Sequence, residues 1–218
     1  MLNKKAFTLS EILIALAIVG AIAALAIPSV IEDMNRRVLA NQLKNMSLSI
    51  QQLVGEQFIA KKTQSLKHTD FADPTTLLGN SNFEVADECS IKANCVGDNY
   101  TRINGEAFTY PIDTYVTRKL KNGVTISYGH SSNTTFTGVN DKPYGIFYVD
   151  LNGRDYPNML GRDTFAFRIS EKGRIFDGLA NTGVTDEQLK NLCVGQASSG
   201  FATTCYTLIE RNNWKITY

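Results

Sequence analysis

The chain has 218 residues and a mass of 24.1 kDa, enough for one domain or one domain with an appendage. Hydrophobic residues make up 43% and charged residues 20%, which excludes wholesale disorder. Lys plus Arg is 22 against 21 for Asp plus Glu, a net charge of +1 that argues against a dedicated nucleic-acid binder. These averages conceal one asymmetry: from Ile12 to Ile31 there is no charged residue at all.

That run is about 20 residues long. At ~1.5 Å per residue, a helix of this length crosses a ~30 Å hydrocarbon core. Lys4 and Lys5 precede it, and positive charge marks the cytoplasmic side, so the rest of the chain is expected outside. Cysteine usage agrees with that placement. Cys89 with Cys95, and Cys193 with Cys205, form two close pairs without metal-knuckle spacing, and outside the cytoplasm they are expected as two local disulfides. Ala24-Leu25-Ala26 offers a signal-peptidase site, but the apolar stretch exceeds a signal core and helical pattern continues through it.

Glu11 stands at the edge of the apolar run, where an ionised carboxylate is costly without a partner. Around it the chain reads Lys4-Lys5-Ala6-Phe7-Thr8-Leu9-Ser10-Glu11. With its short basic leader, small residue, Phe-Thr-Leu-x-Glu and long apolar helix, this segment resembles the type IV pilin-like superfamily of pilins, type II secretion pseudopilins and competence pseudopilins. The resemblance covers roughly the first 35 residues. It implies cleavage between Ala6 and Phe7 by a prepilin peptidase, methylation of the new Phe7 amine, and an assembly role for Glu11. It also implies a helix bent or loosened at Pro28. The family norm before the Phe is Gly, where this chain has Ala6.

The physics of the motif stands without the family. Removing the leader takes away Lys4 and Lys5 and creates an amine on Phe7. A neighbouring subunit can bring such an amine to Glu11, and the pair is worth more at low dielectric than in water. One polar contact then sets the register of otherwise apolar helices, as single buried polar groups do in coiled coils.

After Ile31 the pattern turns amphipathic: Leu39, Leu43, Met46, Ile50, Leu53 and Gln57 or Phe58 form one helical stripe. A single helix from near Thr8 to near Lys61 is expected, with its second half packed on a sheet. Asp73-Pro74, Gly79-Asn80 and Gly97-Asp98-Asn99 mark turns in a loop region over 63–122. Strand patterns follow at 124–128, 146–149, 165–169 and 174–176, with Asn152-Gly153 a hairpin cue and Glu171-Lys172-Gly173 a second turn. A short helix is expected near 185–192. The fold class is therefore α+β, pilin-like: a long N-terminal helix, half transmembrane and half amphipathic, on a small antiparallel sheet of three or four strands. The boundaries are a leader over 1–6, a transmembrane half over 7–31, an amphipathic half over 32–62 and a head over 63–218. Within the head the sheet spans 123–180 and a disulfide-bonded tail 181–218.

No enzyme chemistry emerges. His68 and His130 lie in polar, turn-rich contexts without a nucleophile pattern. Asp150, Asn152 and Asp155 are the candidate calcium ligands, but Arg154 and Gly153 break the alternate-oxygen pattern of a calcium loop, and a hairpin turn explains the segment more simply. No cofactor is otherwise expected. Arg118, Lys119 and Lys121 could meet DNA phosphates, although a short basic patch is ordinarily a solvated face. The sequence thus points to a structural subunit of a type IV pilus or secretion pseudopilus. Its expected partners are copies of itself and related pilins, the prepilin peptidase, an inner-membrane assembly platform and lipid. The expected location is the inner membrane and then a periplasmic or extracellular filament. The alternative is a membrane-tethered module that binds DNA or a surface ligand, as a competence-type minor pilin would.

Overall fold

Helix α1 (Leu9–Lys61) follows from two successive residue patterns, first apolar on all sides and then apolar along one stripe. The computed structural model describes residues 8–80, 82–130, 143–177, 183–196 and 205–218. The chain divides into two compact units, residues 1–38 and 39–218, and α1 supplies helix to both.

In the first unit the helical residues from 9 to 35 are exposed, with the single exception of the half-buried Ala23. Leu9 is 79% exposed and Leu25 82% exposed. Such a surface is stable only in lipid or against other apolar helices. Pro28 lies inside the helix, which continues through it, and Ser29 Oγ donates to Ala26 O at 2.9 Å beside it. Charge resumes with two i,i+4 pairs, Arg36 with Glu32 at 2.9 Å and Arg37 with Asp33 at 2.7 Å.

In the second unit α1 buries Ala40, Leu43, Met46, Ser47, Ile50, Leu53, Val54 and Gln57, while Leu39 and Phe58 are half-buried. The stripe read from the sequence is the buried face. Among the described residues the sheet has eight strands: β1 (Val85–Asp87), β2 (Thr101–Arg102), β3 (Val116–Leu120), β4 (Thr125–His130), β5 (Pro143–Asp150), β6 (Met159–Leu160), β7 (Thr164–Ser170) and β8 (Ile175–Phe176). Their order is β1-β3-β4-β5-β7-β6-β2, with β8 paired to β7. Ile126, Tyr128, Phe147, Val149, Phe165, Phe167 and Ile169 point to one face and join the α1 stripe in the core. Residues alternating with them, including Thr125, Ser127, Asp150 and Thr164, are buried too. The 95–115 segment covers that second face: Thr125 Oγ1 donates to Cys95 O at 2.6 Å, and Ser127 Oγ donates to Tyr110 Oη at 3.1 Å.

Three details differ from the sequence reading. The sheet is larger and begins earlier, because β1, β2 and β3 lie within 63–122. Arg118 and Lys119 interrupt the apolar pattern of β3 and disguise it as a charged loop. The same 63–122 stretch also holds helix α2 (Pro74–Leu78), which buries Leu77 and Leu78. Second, the short pairings of β6 with β2 and β7 are parallel. Third, Asn152-Gly153 is not a two-residue hairpin. Gly153 does take the left-handed conformation (φ +64°), but Asn152 Nδ2 donates to Asp155 O at 2.7 Å and Tyr156 O at 3.0 Å. The chain thus curls through residues 151–158, and β5 pairs with β7.

The turn at 171–174 between β7 and β8 forms as read, as does the short helix α3 (Asp186–Asn191), capped by Thr185 and Gln188. Helix α4 (Cys205–Arg211) returns to the core through Tyr206, Leu208 and Ile209. Cys89–Cys95 and Cys193–Cys205 are disulfide-bonded.

Candidate functional site

The start of α1 is built by Thr8 and Glu11. Thr8 N–H and Thr8 Oγ1 both donate to Glu11 Oε2 at 2.8 Å, and Glu11 N–H returns a bond to Thr8 Oγ1 at 3.3 Å. This reciprocal Thr-x-x-Glu arrangement is a capping box, satisfying backbone donors that the first helical turn leaves open. These bonds give the Glu11 carboxylate donors within its own chain but bring no opposite charge to it. The Thr8-x-x-Glu11 spacing carries the sequence signal for this cap. Ala6 and Phe7, the residues expected at the cleavage and methylation point, lie outside the described residues, as do Lys4 and Lys5.

The calcium candidates separate. Asp150, at the end of β5, is wholly buried and accepts a hydrogen bond from the Tyr100 hydroxyl. Asn152 is half-buried, whereas Asp155 is exposed and contributes its backbone carbonyl to Asn152. In place of Asp155 the fold brings up Asn158, Asp163 and Thr164. Asp163 accepts from Asn158 N–H at 2.8 Å and Met159 N–H at 2.6 Å. Burial, with the charge of Asp163 adding to it, pushes the Asp150 carboxyl up to about 8 against the pull of the Tyr100 bond. Burial also raises Asp163. Asn158, Asp163 and Thr164 escape a sequence reading because a loop and the β5–β7 register deliver them.

The remaining candidates have local partners. Arg118 Nη1 donates to Glu88 O at 3.1 Å, Lys119 Nζ to Asn94 O at 3.4 Å, and Lys121 pairs with Glu84 at 3.7 Å. Asp87, Cys89 and Cys95 cluster, but the two sulfurs are bonded to each other and are not thiolate ligands.

Residues 1–27 match the family model of the prokaryotic N-terminal methylation motif. The chain carries a class III prepilin signal and in this respect is type IV pilin-like; its long apolar helix and sheet-bearing head fit a pilin-like fold. No curated protein and no solved structure matches the chain.

Proposed function

We propose that the chain is a structural subunit of a type IV pilus or secretion pseudopilus, held in the inner membrane with its head outside and then polymerised. The prepilin peptidase would cut between Ala6 and Phe7 and methylate the Phe7 amine. One observation carries this reading: a charge-free helical surface from Ile12 to Ile31 that is exposed all round but for the half-buried Ala23, with a single carboxylate, Glu11, at its start. Lipid covers such a surface in the monomer, and neighbouring helices cover it in a filament. Burying an incoming Phe7 amine there strands its charge unless a carboxylate meets it. An uncompensated buried charge costs ~3–5 kcal/mol.

The Thr8 bonds separate the two roles of Glu11. Glutamine at N3 can still complete a capping box but carries no charge. In Glu11→Gln the helix start should survive and membrane-bound monomer remain abundant, while the sheared filament fraction falls by on the order of 100-fold. Intact mass of the wild-type filament protein should show loss of residues 1–6 and one added methyl. Filament incorporation of Glu11→Gln at the wild-type level would remove the assembly role of this charge. The reading as a tethered DNA-binding module draws less support, since Arg118, Lys119 and Lys121 are each engaged by neighbouring groups.

A further inference from the structure

Two edges of the sheet carry no outer strand. Among the described residues β1 pairs only with β3, and β8 pairs only with β7, on the side of β7 opposite β5. An open edge is a template for a strand of another chain.

Each edge turns the backbone of one residue outward. In an antiparallel ladder, directly opposed residues either exchange both their bonds or both point away from each other. Ser170 N–H donates to Arg174 O at 2.8 Å, and the next pair is Ile169 with Ile175, so Ile175 directs its N–H and C=O away from β7. At the other edge Leu120 opposes Val85 but spends its own groups on the β3–β4 turn. Its N–H donates to Val124 O at 2.8 Å, and its C=O accepts from Gly123 N–H at 3.0 Å, so Val85 likewise faces outward.

The surroundings of the two edges are opposite in charge. Ile175 borders a cleft of about 490 Å³ between β8, α1 and one face of α4, lined also by Gln51, Arg174, Thr207, Glu210 and Arg211. Its two guanidinium groups outweigh the one carboxylate. Strand β1 lies in the run Glu84-Val85-Ala86-Asp87-Glu88, with three carboxylates in five residues. Lys121 meets Glu84 at 3.7 Å, and Asp87 accepts from Cys89 N–H at 2.6 Å. Glu88 is exposed, and Arg118 reaches its backbone carbonyl but not its carboxylate. The acidic edge of one copy therefore complements the basic edge of another. Because the two edges are different surfaces, such a contact is heterologous and propagates from copy to copy instead of ending in a twofold dimer.

We propose that β1 of one subunit adds antiparallel to β8 of the next, Val85 exchanging backbone hydrogen bonds with Ile175 of the neighbouring copy; this contact rests on the reading of the chain as a filament subunit. The register sets Ala86 opposite Arg174 of the neighbouring copy, in a closely spaced pair with Cα atoms ~4.5 Å apart. It also brings that arginine diagonal to Glu84. Ala86 and Arg174 are both exposed in the subunit, so cysteines can replace them without opening the core.

The test uses the full chain in filaments sheared from cells and run on gels without reductant. Ala86→Cys with Arg174→Cys in one chain should give a ladder of covalent multimers, since a disulfide needs Cα atoms within ~7 Å. The two single variants expressed together should stop at dimers, and each alone should give none. Arg174→Glu should cut filament incorporation by about 10-fold, while membrane-bound monomer keeps its level and melting temperature. Arg174→Glu entering filaments at the wild-type level overturns the contact. A cross-link from Arg174→Cys alone to a different protein overturns the assignment to a second copy. Wild-type chain that forms no filament refutes the filament reading and this contact with it, whereas wild-type filaments without a cross-link in the double-cysteine variant refute the contact alone.

Discussion

Ser47 Oγ and Tyr206 Oη lie 2.6 Å apart in the buried core, joining α1 to α4 across 159 residues of sequence. Ser47 is wholly buried on a helix stripe that, Gln57 apart, is otherwise apolar, so its hydroxyl is acceptable only because Tyr206 meets it. The Tyr206 ring also packs, tilted by 36°, against Phe167 of β7 with centroids 5.0 Å apart, which fixes its ring as well as its hydroxyl. Tyr206→Phe keeps the ring and strands the Ser47 hydroxyl. The expected loss is about 1–2 kcal/mol in denaturant unfolding. Adding Ser47→Ala to it should recover part of that loss, and strictly additive single effects would show that the two hydroxyls do not act as a pair.

Gly173, in the β7–β8 turn, has φ +80°, and a Cβ there would stand 2.3 Å from Val54 Cγ1 of α1. Both the left-handed backbone and the contact oppose any side chain. Gly173→Ala should therefore cost about 3 kcal/mol, combining the conformational penalty with overpacking. Val54→Ala in the same chain should return some of this by opening space, although alone it is destabilising. A neutral Gly173→Ala would mean that the turn does not press on the helix.

Asp177 is wholly buried and accepts from Thr207 N–H at 2.8 Å and from the Thr207 hydroxyl. Burial pushes its carboxyl up to about 7 from an ordinary value of 3.8, against the Thr207 bonds. A carboxyl raised on folding contributes fully below the unfolded value, and that contribution declines as pH rises towards the folded one. Wild type should therefore lose stability relative to Asp177→Asn between about pH 4 and 7, at no more than ~1.4 kcal/mol per pH unit, and the difference should level off above 7. Unfolding curves for both proteins from pH 3.5 to 8.5 measure this. Parallel curves across that range would show that Asp177 does not hold a proton in the folded state.

Legibility in the sequence followed the strength of periodicity. The limits of α1 and its buried face were readable because Leu43, Met46, Ile50 and Leu53 repeat at helical spacing. The strand β3 was hidden because Thr117, Arg118 and Lys119 are polar, yet Thr117 is buried through its bond to Ser127 at 2.6 Å. Helix α4 draws its order from Phe167 and Ser47, contacts that no local pattern contains. The acidic site divides in the same way. Asp150 and Asn152 are local to one turn, whereas Thr164 reaches them by strand register and Asn158 through the Asp163 clasp.

The meeting of Ser47 with Tyr206 has a further consequence for the birth of the chain on the ribosome. The stripe on α1 is synthesised early, but Tyr206, Leu208, Ile209 and Ile216 complete the core that shelters it. Until they have been made, Leu43, Ile50 and Leu53 have no finished core to enter. Contacts this distant close slowly and leave apolar surface open to aggregation meanwhile. The head must therefore be kept from aggregating while it is incomplete, and a nonsense mutation ahead of Tyr206 would deliver to proteases a chain whose helix is formed but whose core has no lid.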